Sequence, residues 1–501
     1  MESLLLTNLE ILSDKEGDSI LIEKGVIASI GWEEVLKRRA GASAMIIDCK
    51  GFFAIPGLRD AHVHLLSYGL YKNRLDLSNT ASIEDIKKLV REKAEEIGPG
   101  KWIVGRGWDQ EKLVEKRTPN RWDLDEAAPR NPVLLYRVCG HVAVANSYAL
   151  RIAGINEKTE DPQGGRFGRE DGRINGVLYE KAVEIVEEKI EKPSIREAAE
   201  FIADVLSEAA SYGLVELHAM SVDEYELKVL DFMNKTGMLK LRIKAYLETD
   251  FKNTHYRRQS GNLEVRGIKV IADGSFGART AYLREPYSDV SDTRGELLIN
   301  AAQLALIFKF AEEKKLEVAV HAIGDGAIEE VLKAVKKSGF KKARIEHASL
   351  TPPDIIEGIA ELEIPVSVQP HFILSDWWIV ERLGAKRTGW VYAYKSLLAR
   401  GVKVMGSSDA PVEPLNPWLG IYAAVDRGRR EKMSIWKFSN REALGTREAF
   451  QLYLNAGNCY LKEGEIADIA VIKSSPFAQS DVRENRAILV TVDGRVVYYG
   501  I

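Results

Sequence analysis

Eight short apolar runs rich in β-branched residues alternate with stretches of helical periodicity, and that rhythm restricts the fold more than any other feature of the chain. The runs occupy residues 55–66, 213–218, 241–247, 267–271, 316–321, 343–347, 365–369 and 402–406. Between them lie segments such as 223–233, 302–315 and 327–337, whose apolar residues recur at intervals of three and four. Buried parallel strands, each followed by a helix, close into a (β/α)8 TIM barrel, so the expected fold class is α/β with that barrel at its centre. One interval breaks the rhythm. Roughly 145 residues separate the first run from the second, where a barrel needs only a loop and one helix. Residues from about 70 to 190 are therefore expected to form an inserted subdomain on the catalytic face. Its polar, Gly-rich stretch 161–176 suits a mobile lid over the site.

Residues two apart on a strand point the same way, so His62 and His64 in Ile-Pro-Gly-Leu-Arg-Asp-Ala-His-Val-His can bind one metal ion. Asp60 shares their face as a supporting partner. A half-exposed strand would explain an isolated His-x-His equally well, but this one is not isolated. His321 closes Leu-Glu-Val-Ala-Val-His, His347 closes Ala-Arg-Ile-Glu-His, and Asp409 follows Val-Lys-Val-Met-Gly-Ser-Ser. Parallel α/β barrels collect their chemistry at this end of their strands. Neutral imidazoles with one carboxylate suit Zn²⁺, one or two per chain, with Mn²⁺ or Fe²⁺ as alternatives. A bound divalent ion lowers the pKa of its water to about 7 and polarises a carbonyl, so no protein nucleophile is needed.

Lys269 lies inside Gly-Ile-Lys-Val-Ile, where an ammonium is costly to bury. It either enters the metal site or snorkels outward. His218 and His371 close the second and seventh runs and are candidate substrate contacts, with a satisfied structural histidine as the alternative for each. In the insertion, Trp102 and Trp108 offer aromatic surface, Arg106 a carboxylate partner and His141 a lid contact, although each could be core or rim. His255 sits in a polar stretch and is expected to be solvated.

Both ends of the chain read as strands and tight turns, with turns at Lys24-Gly25 and Asp493-Gly494. Residues 1–54 and 463–501 are therefore expected to build one composite β-sandwich beside a barrel spanning 55–462. Forty-five per cent apolar residues in 501 are ample for both cores. A net charge of −4 argues against a nucleic-acid surface. Cys49, Cys139 and Cys459 are scattered with no C-x-x-C pair, which fits a reducing, cytoplasmic setting. The first residues lack a basic n-region and no run reaches membrane-spanning length, so a soluble chain with no membrane partner is expected. Charged residues at 29%, with Lys and Glu frequent, resemble the balance of proteins from hot environments. The partner expected is a small-molecule substrate, with a homodimer as one possible assembly.

His-x-His first, single histidines in the middle and an aspartate on the last strand resemble the metal-dependent amidohydrolase superfamily. Further segments resemble its YtcJ-like, amidohydrolase 3 branch, which includes N-substituted formamide deformylases and exoenzyme-regulator-like proteins. These are Gly105-Arg-Gly-Trp-Asp109, Gly140-His141 with Asn146-Ser-Tyr-Ala-Leu150, Ala272-Asp-Gly-Ser-Phe-Gly-Ala-Arg-Thr280, Gln369-Pro-His-Phe372, and Gly406-Ser-Ser-Asp-Ala-Pro-Val412 running on to Asp426-Arg427. The resemblance covers nearly the whole chain. It implies a metal-activated water cleaving the C–N bond of an amide-like, N-acyl or N-formyl, small molecule. Deamination, cyclic-amide hydrolysis and a non-catalytic regulator are the alternatives. It also implies that Asp409 touches metal and hydrolytic water and moves the proton as the catalytic residue. Lys269, carboxylated by carbon dioxide, would bridge two metals, with Glu180 as a rival bridge. Arg279 joins Trp108, His141, His218 and His371 among the implied substrate contacts. At the second strand the family often has His-Asp, where this chain has His218-Ala219-Met220.

Overall fold

The computed structural model describes residues 3–138, 141–248, 259–455, 458–477 and 481–500. His255 lies outside the described residues. Two compact units are present, one of Met1–Gly69 with Ala198–Ile501, the other of Leu70–Glu197.

The first unit contains the barrel sheet. Its parallel strands are β1 (Leu58–Val63), β2 (Leu214–Val222), β3 (Arg242–Leu247), β4 (Leu263–Ile271), β5 (Glu317–Ala322), β6 (Ala343–His347), β7 (Val366–Val368) and β8 (Val404–Gly406). Each pairs with the next in chain order, and a short antiparallel strand, Gln259–Ser260, adds to β4. The eight-strand sheet nearly closes into a barrel. Between β1 and β8 the closure is made past the strand ends, where Val63 bridges Ala410. There Asp409 N–H donates to His62 O at 2.8 Å and His64 N–H donates to Ala410 O at 2.9 Å. The helices behind the strands bury one stripe each, as amphipathic surface helices must. Helix Asp325–Ser338, for example, buries Ala327, Ile328, Val331, Ala334 and Val335 and ends at Gly339 with φ +72°.

Both termini build one hydrogen-bonded sheet of seven strands, ordered Arg495–Tyr499, Ala487–Val492, Ile469–Ile472, Met45–Pro56, Leu4–Ile11, Ser19–Glu23 and Val26–Gly31. Ile27 and Ile30 from one end share a hydrophobic core with Ile469 and Leu489 from the other, and Val26 bridges Ile466, so the single sheet curls to face itself. The expected turns are present, with left-handed φ at Lys24, Gly25, Asp493 and Gly494. Met45–Pro56 runs directly towards β1 through Gly57. A Cβ there would lie 2.4 Å from the Val215 side chain, so only glycine allows the first two barrel strands to approach. Arg242 at the start of β3 pairs with Asp468 and Asp493, tying barrel to terminal sheet.

The second unit carries a six-stranded sheet, ordered Gly165–Glu170, Arg173–Glu180, Val142–Ala145, Val133–Arg137, Ile103–Trp108 and Leu75–Asp76. Its residues form two hydrophobic clusters of their own. The stretch expected as a loop at 161–176 is largely a β-hairpin. Asp171 and Gly172, at φ +50° and +75°, form the tight two-residue turn that Asp-Gly favours. Among the described residues no helix is long and apolar enough to cross a membrane.

Candidate metal centre

β1 points Asp60 and His62 to one side, and the chain leaving it carries His64 into the same mouth. His62 Nε2 and His64 Nε2 each lie 3.2 Å from Asp409 Oδ1, and donor atoms of these three residues fall within 4.8 Å of one another. The His347 ring centroid is 5.0 Å from His62 and 4.4 Å from His321. Lys269 is buried, and its Nζ donates to His62 Nε2 at 3.1 Å. It therefore points into the barrel, which removes the outward-snorkelling alternative. His62, His64, Lys269, His321, His347 and Asp409 line one cavity of about 390 Å³. His347 and Asp409 have φ of +71° and +61°. Such left-handed geometry is costly for side-chain-bearing residues and is concentrated at functional sites.

The partners of the ring nitrogens decide where their lone pairs point. His62 Nδ1–H donates to Glu346 Oε2 at 2.7 Å and His347 Nδ1–H donates to Gln369 Oε1 at 2.7 Å, so both Nε2 atoms present their lone pairs to the cavity, that of His62 accepting from Lys269 Nζ. His321 donates Nε2–H to Gly274 O at 3.0 Å, which leaves Nδ1. Burial and then the Lys269 charge hold His62 well below the usual imidazole range, and the same causes bring His321 down to about 4. Burial and His321 bring His347 to about 3. Burial also lowers Lys269 to about 8. Burial works to raise Asp409, but His62 and the His64 hydrogen bond outweigh it and keep the carboxylate ionised. Neutral imidazoles with engaged outer nitrogens, beside an ionised carboxylate, match the donor chemistry of a borderline divalent ion.

Asp60 supports the site differently from the expectation. Its carboxylate accepts the backbone N–H of His62 at 2.9 Å and of Ser408 at 3.1 Å, holding β1 against the chain that carries Asp409. Glu346 is anchored by the buried Arg344 guanidinium, a partnership sequence reasoning missed although Arg344 and Glu346 share one strand face. Arg344 Nη1 also donates to His218 Nδ1 at 2.8 Å, and His218 Nε2–H donates to Glu216 at 3.0 Å. Both nitrogens of His218 are thus occupied in the barrel interior, and it does not line the cavity. The expectation placed it at a strand end, but β2 runs on to Val222 and Ser221 takes the cavity position.

The other expected substrate contacts are engaged elsewhere. Trp108 is fully buried in the core of the second unit, its Nε1–H donating to Leu135 O at 2.9 Å, so it is a core residue. His141 is exposed and sits 3.0 Å from Glu180, whose carboxylate is exposed in that unit and belongs to no cluster of metal-binding groups among the described residues. Arg279 is held by Asp289 at 2.9 Å, and His371 by Glu413; neither lines the cavity, whereas Ser275, Phe276, Gly277 and Phe372 beside them do.

The profile of the amidohydrolase family matches residues 45–498. The chain belongs to that family. This amidohydrolase is 32% identical to YtcJ of Bacillus subtilis (strain 168), over 97% of each chain. It is 23% identical to the N-substituted formamide deformylase of Arthrobacter pascens, over 99% of this chain and 98% of that one. Among solved structures, a metal-dependent hydrolase from Pyrococcus furiosus superposes with a TM-score of 0.82 at 32% identity, covering 95% of this chain and 100% of the other. The amidohydrolase is therefore a metal-dependent hydrolase with the barrel of its relatives.

Proposed function

We propose that this amidohydrolase cleaves the C–N bond of an amide-like, N-acyl or N-formyl, small molecule. The observation that carries the reading is the convergence of His62, His64, His321, His347, Asp409 and Lys269 on one cavity of about 390 Å³. That size suits a small molecule and is far too small for a folded macromolecule. His62, His64, His321, His347 and Asp409 would hold Zn²⁺, or Mn²⁺ or Fe²⁺ in its place. A divalent ion there supplies an acidified water and a polarised carbonyl. Asp409, ionised and at the centre of the ligand set, takes the proton of the attacking water and returns it to the departing nitrogen. Lys269 loses a proton more readily than an exposed lysine. As the free amine it can add carbon dioxide and release a proton, giving an anionic carbamate that would bridge two cations. The name of the Arthrobacter relative, a deformylase of N-substituted formamides, favours amides over ring amines. Metal-loaded protein should turn over members of a panel of formamides and N-acyl amines. Turnover confined to cyclic amides or aminated heterocycles would overturn the amide reading.

A further inference from the structure

Beyond the metal ligands the cavity is lined largely by the apolar Ile271, Phe276, Ile323, Phe372, Trp378 and Val412, with the hydroxyl-bearing Ser221, Ser275 and Ser349 among them, and Lys269 is the one Lys or Arg among its described lining residues. One carboxylate interrupts the apolar wall. Asp376 lines the cavity, and its side chain accepts a hydrogen bond from the Tyr392 hydroxyl. Among the described residues no other donor reaches that carboxylate, and no cation is paired with it, although an ionised carboxylate has about four acceptor sites. Glu413 nearby is satisfied by His371 and Ser375. Tyr392 in turn is fixed from behind. Its backbone N–H donates to Ser349 O at 2.8 Å, and fully buried Arg427 donates to the carbonyls of Tyr392 at 3.0 Å and Val391 at 2.7 Å. The pair is therefore rigid, incompletely satisfied and open to whatever fills the cavity.

We infer that Asp376, oriented by Tyr392, is a specificity residue that selects amides whose amine portion has an apolar body and a distal cationic or N–H donor group. The inference rests on the amide reading above. Burial and Glu413 lift the Asp376 carboxyl to about 7 against the Tyr392 hydrogen bond, so an approaching cation restores a charge that the site otherwise disfavours. An anionic amine portion, as in N-acyl amino acids, meets the Asp376 carboxylate, and Lys269, the one Lys or Arg of the described lining, is engaged with His62.

The test uses two matched series. The N-formyl derivatives of 4-(aminomethyl)benzylamine, 4-methylbenzylamine and 4-(aminomethyl)benzoate report turnover. Binding by calorimetry is read from 4-(aminomethyl)benzyl alcohol, 4-methylbenzyl alcohol and 4-(hydroxymethyl)benzoate, which present the same alcohol and differ only at the far end. The cationic member should bind the parent about 10- to 100-fold more tightly than the anionic one. Asp376→Asn should lose that preference and Asp376→Glu should keep it, both with unchanged metal content. In turnover, Asp376→Asn should raise KM for the cationic formamide and leave the neutral one within about threefold, a split expected of lost binding rather than lost chemistry. Retention of the cationic preference by Asp376→Asn, or a parent preference for the carboxylate, overturns the inference. If Asp376→Asn does not fold, Asp376→Ser takes its place with the same expected outcome. Failure to hydrolyse any formamide while the binding preference persists would remove the amide reading and leave Asp376 as the selector.

Discussion

At the scale of single residues, the site depends on side chains that never touch a ligand atom's free lone pair. Glu346 fixes the His62 tautomer while balancing the buried Arg344 guanidinium, so Glu346→Gln acts twice. It weakens His62 as a donor, and the loss of such a supporting partner costs about 10- to 100-fold in metal affinity, readable by chelator competition. It also leaves Arg344 an uncompensated buried cation, for which about 3–5 kcal/mol of stability is expected to be lost in urea melts. An unchanged metal affinity would mean that the His62 tautomer is set by something other than Glu346. Lys269→Ala makes the complementary case. If the lysine carries a carbamate bridge, the variant should lose at least one metal per chain by atomic absorption and nearly all turnover. The parent's activity should also rise when bicarbonate is present during metal loading. Full metal content in Lys269→Ala would point instead to a mononuclear centre resting on His62, His64, His321 and Asp409.

At the scale of elements, strand periodicity made the barrel legible, and the limits of that reading are physical. The eight apolar runs correspond to the eight barrel strands, because a strand buried on both faces carries its signal in nearly every residue. His62 and His64 were visible through their spacing of two. His218 was misjudged because the run was taken to stop where the histidine stood, while β2 continues four residues further, into Val222. Its partner Glu216 stands two residues before it on the same strand face, but Arg344 on its other nitrogen, and the Lys244 that pairs with Glu216, arrive only through strand register, which no local window contains. Trp108 shows the same limit from the other side, since a tryptophan beside Asp109 and Gln110 gives no sign of being fully buried. The terminal sheet permits a test at this scale. Glu463 accepts from Lys15 Nζ at 2.6 Å and from Ile30 N–H at 2.9 Å, which together draw its carboxyl from 4.5 down to about 2. A carboxylate with a depressed folded pKa contributes stability above its unfolded value and loses it as pH falls through the folded one. The stability gap between the parent and Glu463→Gln should therefore be larger at pH 6 than at pH 3 in urea titrations. A gap independent of pH would assign the effect to the hydrogen bonds alone.

At the scale of the whole molecule, the chain separates the machinery of hydrolysis from a second compact unit inserted within it. β1 and β2 are hydrogen-bonded neighbours, with Leu58 opposite Leu214, although the whole of Leu70–Glu197 lies between them in sequence. Glu180, the rival bridge, lies in the second unit, whereas the six side chains that meet in the cavity, His62, His64, Lys269, His321, His347 and Asp409, belong to the first together with Asp60, Glu346 and Gln369. The chain also leaves and re-enters that unit at one place. Helix Leu65–Lys72 meets helix Ile195–Ser211 so closely at Gly69 that a Cβ would lie 3.2 Å from the Phe201 backbone. A short Gly/Ser linker can therefore join the chain near Gly69 to Ala198 without stretching either helix, and a short closure has a small entropic cost. Excision should leave metal content and the barrel's near-ultraviolet dichroism intact. The excised unit, with its own sheet and two hydrophobic clusters, should fold when expressed alone. If the insertion governs which molecules enter, the excised barrel should still hydrolyse the smallest formamides but lose discrimination among larger ones. Loss of metal on excision would instead make the insertion a structural brace for the barrel mouth, and retained discrimination would leave specificity to the barrel's own wall.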